Sequence, residues 1–172
     1  MEAGQRKEAV SLRKLSVSDG QDVYRLLQRM PEENGFQNTA YGLSYQAFQR
    51  WLVAQDACSR GENLQVDYVP QTLYWCYAGN VPVGIAKLRH YLHDGLREVG
   101  GHIGYGVAPA FRGKGYATEM LSLVLQKAAE MGIEKVLLTV MKANVASQRV
   151  MEKCGGVREK QKNSLYYYWI DT

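Results

Sequence analysis

Residues 107–117 read Val-Ala-Pro-Ala-Phe-Arg-Gly-Lys-Gly-Tyr-Ala. An apolar run ends at Val107, Pro109 turns the chain, and a basic, glycine-rich bend opens into a helical pattern. The first N–H groups of a helix have no intrahelical acceptors, and the helix dipole adds partial positive charge there. Gly113 and Gly115 carry no Cβ, so an anion can approach the main chain closely. Arg112 and Lys114 add formal charge at the same place. These properties predict a pyrophosphate socket. It lacks the spacing and the Lys-Ser/Thr ending of a Walker loop, and it is not Gly-x-Gly-x-x-Gly. Six residues alone also fit a basic, solvated turn at the head of an ordinary helix.

The flanking sequence favours the socket. Ala117, Met120, Leu121, Val124, Leu125, Ala128 and Met131 recur at helical spacing, with Gly132 placed as a C-cap. Residues 135–141 (Lys-Val-Leu-Leu-Thr-Val-Met) read as a buried strand. Residues 102–141 therefore form a strand–helix–strand unit, which implies a right-handed crossover between parallel strands. Ligands in such units sit at the carboxyl ends of the strands, where the glycine-rich bend lies. Asn144 then starts a second amphipathic segment ending at Cys154-Gly155-Gly156, and Asn is a preferred N-cap.

Upstream, residues 9–15 alternate like a strand. Asp19 is expected to cap a helix bearing Val23, Leu26, Leu27 and Met30, and residues 31–41 read as a loop. A further helix is expected around residues 45–57. Strands are expected at 72–78 and 81–92, joined by Gly79-Asn80, then at 100–107, 156–162 and 165–170.

Arg112-Gly113-Lys114-Gly115-Tyr116-Ala117 fits the pattern Arg/Gln-x-x-Gly-x-Gly/Ala. With Asn144 downstream, the chain resembles the GNAT superfamily of acyl-CoA-dependent N-acyltransferases. The resemblance implies one domain over residues 1–172, of α/β class. Its central mixed, twisted sheet would have six to seven strands and about four flanking helices, in the order β-α-α-β-β-β-α-β-α-β-β. Lys87-Leu88-Arg89-His90 and the run 100–105 are similar to a bacterial branch of predicted acetyltransferases. The implied reaction is acetyl transfer from acetyl-CoA to a primary amine of a small molecule or peptide. In the family's manner, main-chain groups of Tyr105 and Val107 would bind the pantetheine arm, and residues 112–117 the pyrophosphate. The Asn144 amide would also contact the arm, with Ser147 one turn on pointing the same way.

The family's acid and base positions match poorly. A carboxylate commonly expected on the strand before the signature falls at Gly101, flanked by Glu98 and His102. His102 is the more attractive base, because imidazole titrates near neutrality. The Tyr often found seven residues after the Asn is replaced by Met151. Tyr105 is one substitute acid; Tyr116 and the 166–168 tyrosines are others. The acceptor would lie between residues 32–45 and 161–169. Glu32, Glu33, Tyr41 and Tyr45 stand in the first segment; Tyr166, Tyr167, Tyr168 and Trp169 stand in the second. Arg89 and His90 are alternative ligands for a carboxylate. These mismatches keep open a non-catalytic acyl-CoA-binding module, and more remotely a protein binding another nucleotide.

The composition narrows the partners. A net charge of +4 suits an anionic coenzyme, but no run of five or six basic residues supports nucleic-acid binding. The three cysteines lack metal-ligand spacing and are expected as reduced thiols, with no metal site. No signal segment or membrane-length apolar run is read, so a cytoplasmic enzyme is expected, with a homodimer left open.

Overall fold

Strand patterning builds two sheets in the computed structural model, which describes residues 8–172. β1 (Val10–Lys14), β2 (Gln71–Ala78), β3 (Val81–Arg89) and β4 (Ile103–Val107) form an antiparallel sheet in sequence order. β2 (Gln-Thr-Leu-Tyr-Trp-Cys-Tyr-Ala) is buried along its whole length, as a strand covered on both faces should be. β5 (Lys135–Met141), β6 (Val157–Lys162) and β7 (Leu165–Asp171) form a second sheet, ordered β5-β7-β6.

Helices cover the first sheet on both faces. α1 (Gln21–Leu27) and α2 (Tyr45–Ser59) bury Leu27, Phe48 and Leu52 against Trp75 and Ile85. A five-residue helix, α3 (Asp94–Glu98), precedes β4, and a 3₁₀ turn (Pro109–Phe111) follows it. α4 (Tyr116–Glu130) takes the opposite face. Its Met120, Leu121, Val124 and Ala128 share one cluster with Cys76, Ala86 and Leu88 of the first sheet and Val136, Leu138, Tyr168 and Ile170 of the second. One helix thus roofs both sheets. α5 (Val145–Lys153) packs beside it, burying Met151. No helix among the described residues is long and apolar enough to cross a membrane.

The structure corrects three expectations. The first concerns the sheet, which is split in two. β4 and β5 are neighbours but form no ladder; one isolated antiparallel bridge, Gly101 to Leu138, joins them. The second concerns Asp19, which does not cap α1. Gly20 holds the N-cap position, while Asp19 Oδ2 accepts the Ser16 N–H (2.7 Å) and the Trp75 indole N–H (2.6 Å). A buried indole N–H needs an acceptor, and that demand prevails over capping. The third concerns α3, absent from the sequence reading because residues 93–98 are too few to show periodicity. His93 caps it, Nδ1 accepting the Leu96 N–H at 3.4 Å.

The joint between the sheets is held by hydrogen bonds at one point. The His102 N–H donates to the Leu137 carbonyl (2.7 Å), and the Leu137 N–H donates back to His102 Nδ1 (2.9 Å). The Gly100 N–H donates to Thr139 Oγ1 (2.9 Å). Gly101 is forced by this approach: its φ is +61°, and a Cβ there would lie 2.3 Å from the Leu137 carbonyl oxygen. Backbone cannot yield as a side chain can. Gly101→Ala is expected to destabilise the fold by about 3 kcal/mol or more, from left-handed strain plus a backbone clash. Urea unfolding checks this; an unchanged midpoint would contradict the joint's geometry.

Candidate functional site

The site is built on the outer edge of β4. The Arg89 N–H donates to the His102 carbonyl (2.7 Å) and the Ala108 N–H to the Val83 carbonyl (2.9 Å). Antiparallel alternation then turns the main-chain groups of His102, Gly104 and Gly106 toward β3. Those of Ile103, Tyr105 and Val107 face away, into the gap between the sheets. Among the described residues, no strand pairs with that edge beyond Gly101. A Cβ at Gly104 would meet nothing within 4 Å, whereas one at Gly106 would touch the Phe36 ring at 2.9 Å. The segment 31–41 therefore lies on the β4 face at Gly106 and leaves Gly104 open.

The edge runs into the glycine-rich bend. Gly113 (φ +75°) and Gly115 (φ +80°) both adopt the left-handed conformation, and Gly115 is the N-cap of α4 without a side-chain capping bond. Such turns aim main-chain N–H groups at a common point and make anion-binding concavities. Arg112 Nε donates to the Val107 carbonyl (3.1 Å), folding the bend under the strand edge, and its guanidinium pairs with Glu33. Lys114 is exposed, Ala117 is half-buried, and Tyr116 is buried against the α4 core.

α5 closes the far side. Asn144 Oδ1 accepts the Ser147 N–H (3.2 Å), capping the helix. Ser147 Oγ lies 2.7 Å from the Tyr105 hydroxyl, a contact that spans the gap from α5 to β4. Burial pushes the Tyr105 hydroxyl up to about 12, so it stays protonated at neutral pH. Tyr105 thus links β4 to the Asn144–Ser147 cap of α5, and Arg112 ties Val107 to the glycine-rich bend.

Other candidates lie elsewhere or are engaged. The Glu98 carboxylate is exposed and paired with Lys162, whose ammonium holds it below the usual carboxylate range. His102 is buried, and Nδ1 already accepts the Leu137 N–H, which places the ring proton on Nε2. Burial, with Arg97 and Arg89 nearby, brings its pKa down to about 4. Tyr167 and Tyr168 are buried, their hydroxyls donating to the Glu98 carbonyl (2.6 Å) and to Glu152 (2.8 Å). Glu32 accepts the Asn38 N–H (3.3 Å).

Sequence reasoning passed over Lys87. It is half-buried on β3, directly across from Gly104, on the face that also buries Ile85. The signal was a lysine in phase with a core position of an apolar strand. The thiols are shielded as well. Burial raises all three, Cys76 to about 12, while Cys58 and Cys154 donate to the Val69 and Thr118 carbonyls (3.9 and 3.5 Å).

A family model described as the Acetyltransferase (GNAT) domain matches residues 10–157. No curated protein sequence matches the chain. Solved structures share its fold. The GNAT domain of S. lividans PAT is 16% identical with a TM-score of 0.66, over 96% of this chain and 97% of its own. yncA, a putative acetyltransferase from Salmonella typhimurium solved with its cofactor acetyl-CoA, is 16% identical (TM-score 0.62; 95% and 94% covered). Campylobacter jejuni N-acetyltransferase PseH, in complex with acetyl coenzyme A, is 10% identical (TM-score 0.63; 95% and 99% covered).

The His102 geometry sets a pH dependence. A folded pKa near 4 against an ordinary 6.5 means the unfolded chain binds the extra proton between those values. The contribution to stability is complete above 6.5 and is lost as pH falls toward 4. His102→Asn, whose Oδ1 can accept the Leu137 N–H without titrating, is expected to flatten this part of the stability–pH curve. Denaturant midpoints from pH 7 down to 4 measure it; equal slopes in both proteins would refute the assignment.

Proposed function

The chain belongs to the GNAT acetyltransferase family, and from that premise we propose that it moves an acetyl group from acetyl-CoA to a primary amine by direct attack in a ternary complex. The observation that carries this reading is the unpaired β4 edge leading without interruption into the glycine-rich bend at the head of α4. The pyrophosphate takes the N–H groups and charges of residues 112–117, and the pantetheine arm takes the main-chain groups of Tyr105 and the N–H of Val107, whose carbonyl Arg112 holds. The Asn144 side chain and Ser147 flank the arm. Open space at Gly104 and Gly113 fits such a ligand, and yncA and PseH are solved with acetyl-CoA on the same fold.

The chemistry asks little of the side chains. The amine nitrogen attacks the thioester carbonyl carbon, the carbon–sulfur bond breaks, and sulfur leaves with the bonding pair. A β4 edge N–H stabilises the developing oxyanion, and alignment supplies much of the rate. The Tyr105 hydroxyl, 2.7 Å from Ser147 Oγ, serves as the proton donor in this reading. A thiolate leaves readily, since thiols ionise near pH 8.5 or so, and demand for the acid is modest. The attacking nitrogen sheds its proton to water, because Gly101 stands where a carboxylate would be and His102 has committed its lone pair. That same lack favours a second reading, an acyl-CoA-binding module without turnover.

Mass spectrometry of acetyl-CoA, protein and pooled amines separates the two. Acetylated amine above an enzyme-free control is expected, and Tyr105→Phe is expected to lower kcat by less than about 100-fold. CoA binding without product from any amine would support the module. Gly115→Glu is expected to abolish CoA binding measured by calorimetry, by placing a carboxylate in the anion socket. Gly115→Asn, which tolerates positive φ, is expected to retain it in weakened form. Equal affinity in all three proteins would remove the socket from residues 112–117.

A further inference from the structure

We propose that the acceptor is an anionic amine whose carboxylate or phosphate is held by Lys87 and Arg89 beside Gly104. This rests on the acetyl-transfer reading, which brings the acyl end of the ligand to the β4 edge at Tyr105 and so next to Gly104.

The two cations are adjacent on one face of β3, two residues apart. Lys87 pairs across the sheet with Gly104, the position where an added Cβ would meet nothing within 4 Å. Both are half-buried, yet neither forms an ion pair among the described residues. Arg89 Nη1 donates to the Gly101 carbonyl (3.0 Å), which fixes one end of its guanidinium and keeps the head at the start of β4. Lys87 makes no hydrogen bond to any described residue. A half-buried ammonium without a carboxylate is costly unless a partner arrives. Burial foremost, and then Arg89, lower the Lys87 pKa to about 8, and an arriving anion would raise it again.

The acids expected to greet a cationic amine are already engaged. Glu33 pairs with Arg112, and Glu32 Oε1 accepts the Asn38 N–H. His102 Nε2–H adds a third donor-only group near Arg89. The field beside Gly104 is therefore positive. It favours amino acids or aminoalkyl phosphates over polyamines, and charge-assisted bonds to an anion are the strong ones in such a setting.

The test uses matched amines with the full-length protein. Turnover, and binding to the CoA-loaded protein by calorimetry, are measured for amino acids against their amides, for phosphoethanolamine against ethanolamine, and for spermidine. A preference of about 10-fold or more for the anionic member of a pair is expected, as one charged hydrogen bond supplies. The two pairs tell carboxylate from phosphate. Lys87→Met is expected to erase the preference while CoA affinity stays unchanged, and Lys87→Arg to restore it. Equal use of acids and amides, stronger use of spermidine, or a preference that survives Lys87→Met would overturn the proposal. Should Lys87→Met fail to fold, the wild-type preference decides alone. Loss of CoA binding in the wild type would instead overturn the acetyl-transfer reading, and the two failures are thereby distinct.

Discussion

The exchange of hydrogen bonds between His102 and Leu137 is the constraint on which the rest of the structure depends. One imidazole nitrogen stands in for a carbonyl, so two strands that never form a ladder are pinned at a single point. Beyond that joint, which the Gly100 N–H to Thr139 Oγ1 bond and the Gly101–Leu138 bridge complete, β4 and β5 form no ladder among the described residues, and the main-chain groups of Tyr105 and the Val107 N–H pair with no strand. A continuous ladder would have consumed those groups. Gly101 permits the approach because its neighbour is backbone. The burial that lowers the His102 pKa also keeps the ring neutral, which is the form able to accept the Leu137 N–H.

Much of this was legible in the sequence because its signals are local. Glycines that must take positive φ, a helix with seven apolar residues in phase, and an Asn before an amphipathic segment each announce themselves within a few residues. The order of the main elements follows from such signals and from the family resemblance, which also raise the expectation of a site at Tyr105, Val107, residues 112–117, Asn144 and Ser147. The split of the sheet does not, since it rests on a contact between residues 35 positions apart. Pattern cannot tell a histidine that accepts a backbone N–H from one that accepts a proton in catalysis. The same blindness applies to Asp19, whose partner Trp75 is distant in sequence, and to Lys87, whose meaning depends on the empty space across from it at Gly104.

The segment between α1 and α2 joins the two halves of the site. Asn38 anchors it, its amide donating to the Leu27 and Met30 carbonyls (2.9 and 2.8 Å) at the end of α1. Phe36 then rests at Gly106, and Glu33 reaches Arg112. The side chain that pairs with Arg112 and the one that rests on the β4 face at Gly106 are thus carried by the same few residues. The Arg112–Glu33 pair lies at the surface, where an ion pair contributes little, so Glu33 can yield Arg112 to another anion at small cost.

The shielded thiols bear on the fate of the by-product. Each turnover of an acyl-CoA releases a free thiol, which oxidises to disulfides that exchange with any accessible protein thiolate. Thiolate is the attacking species, and a raised pKa leaves little of it at neutral pH. Cys76 lies in the apolar core, and Cys58 and Cys154 are half-buried with their sulfurs turned toward carbonyls. The fold therefore resists being capped by its own spent coenzyme, and prolonged incubation under air should leave the polypeptide at its unmodified mass.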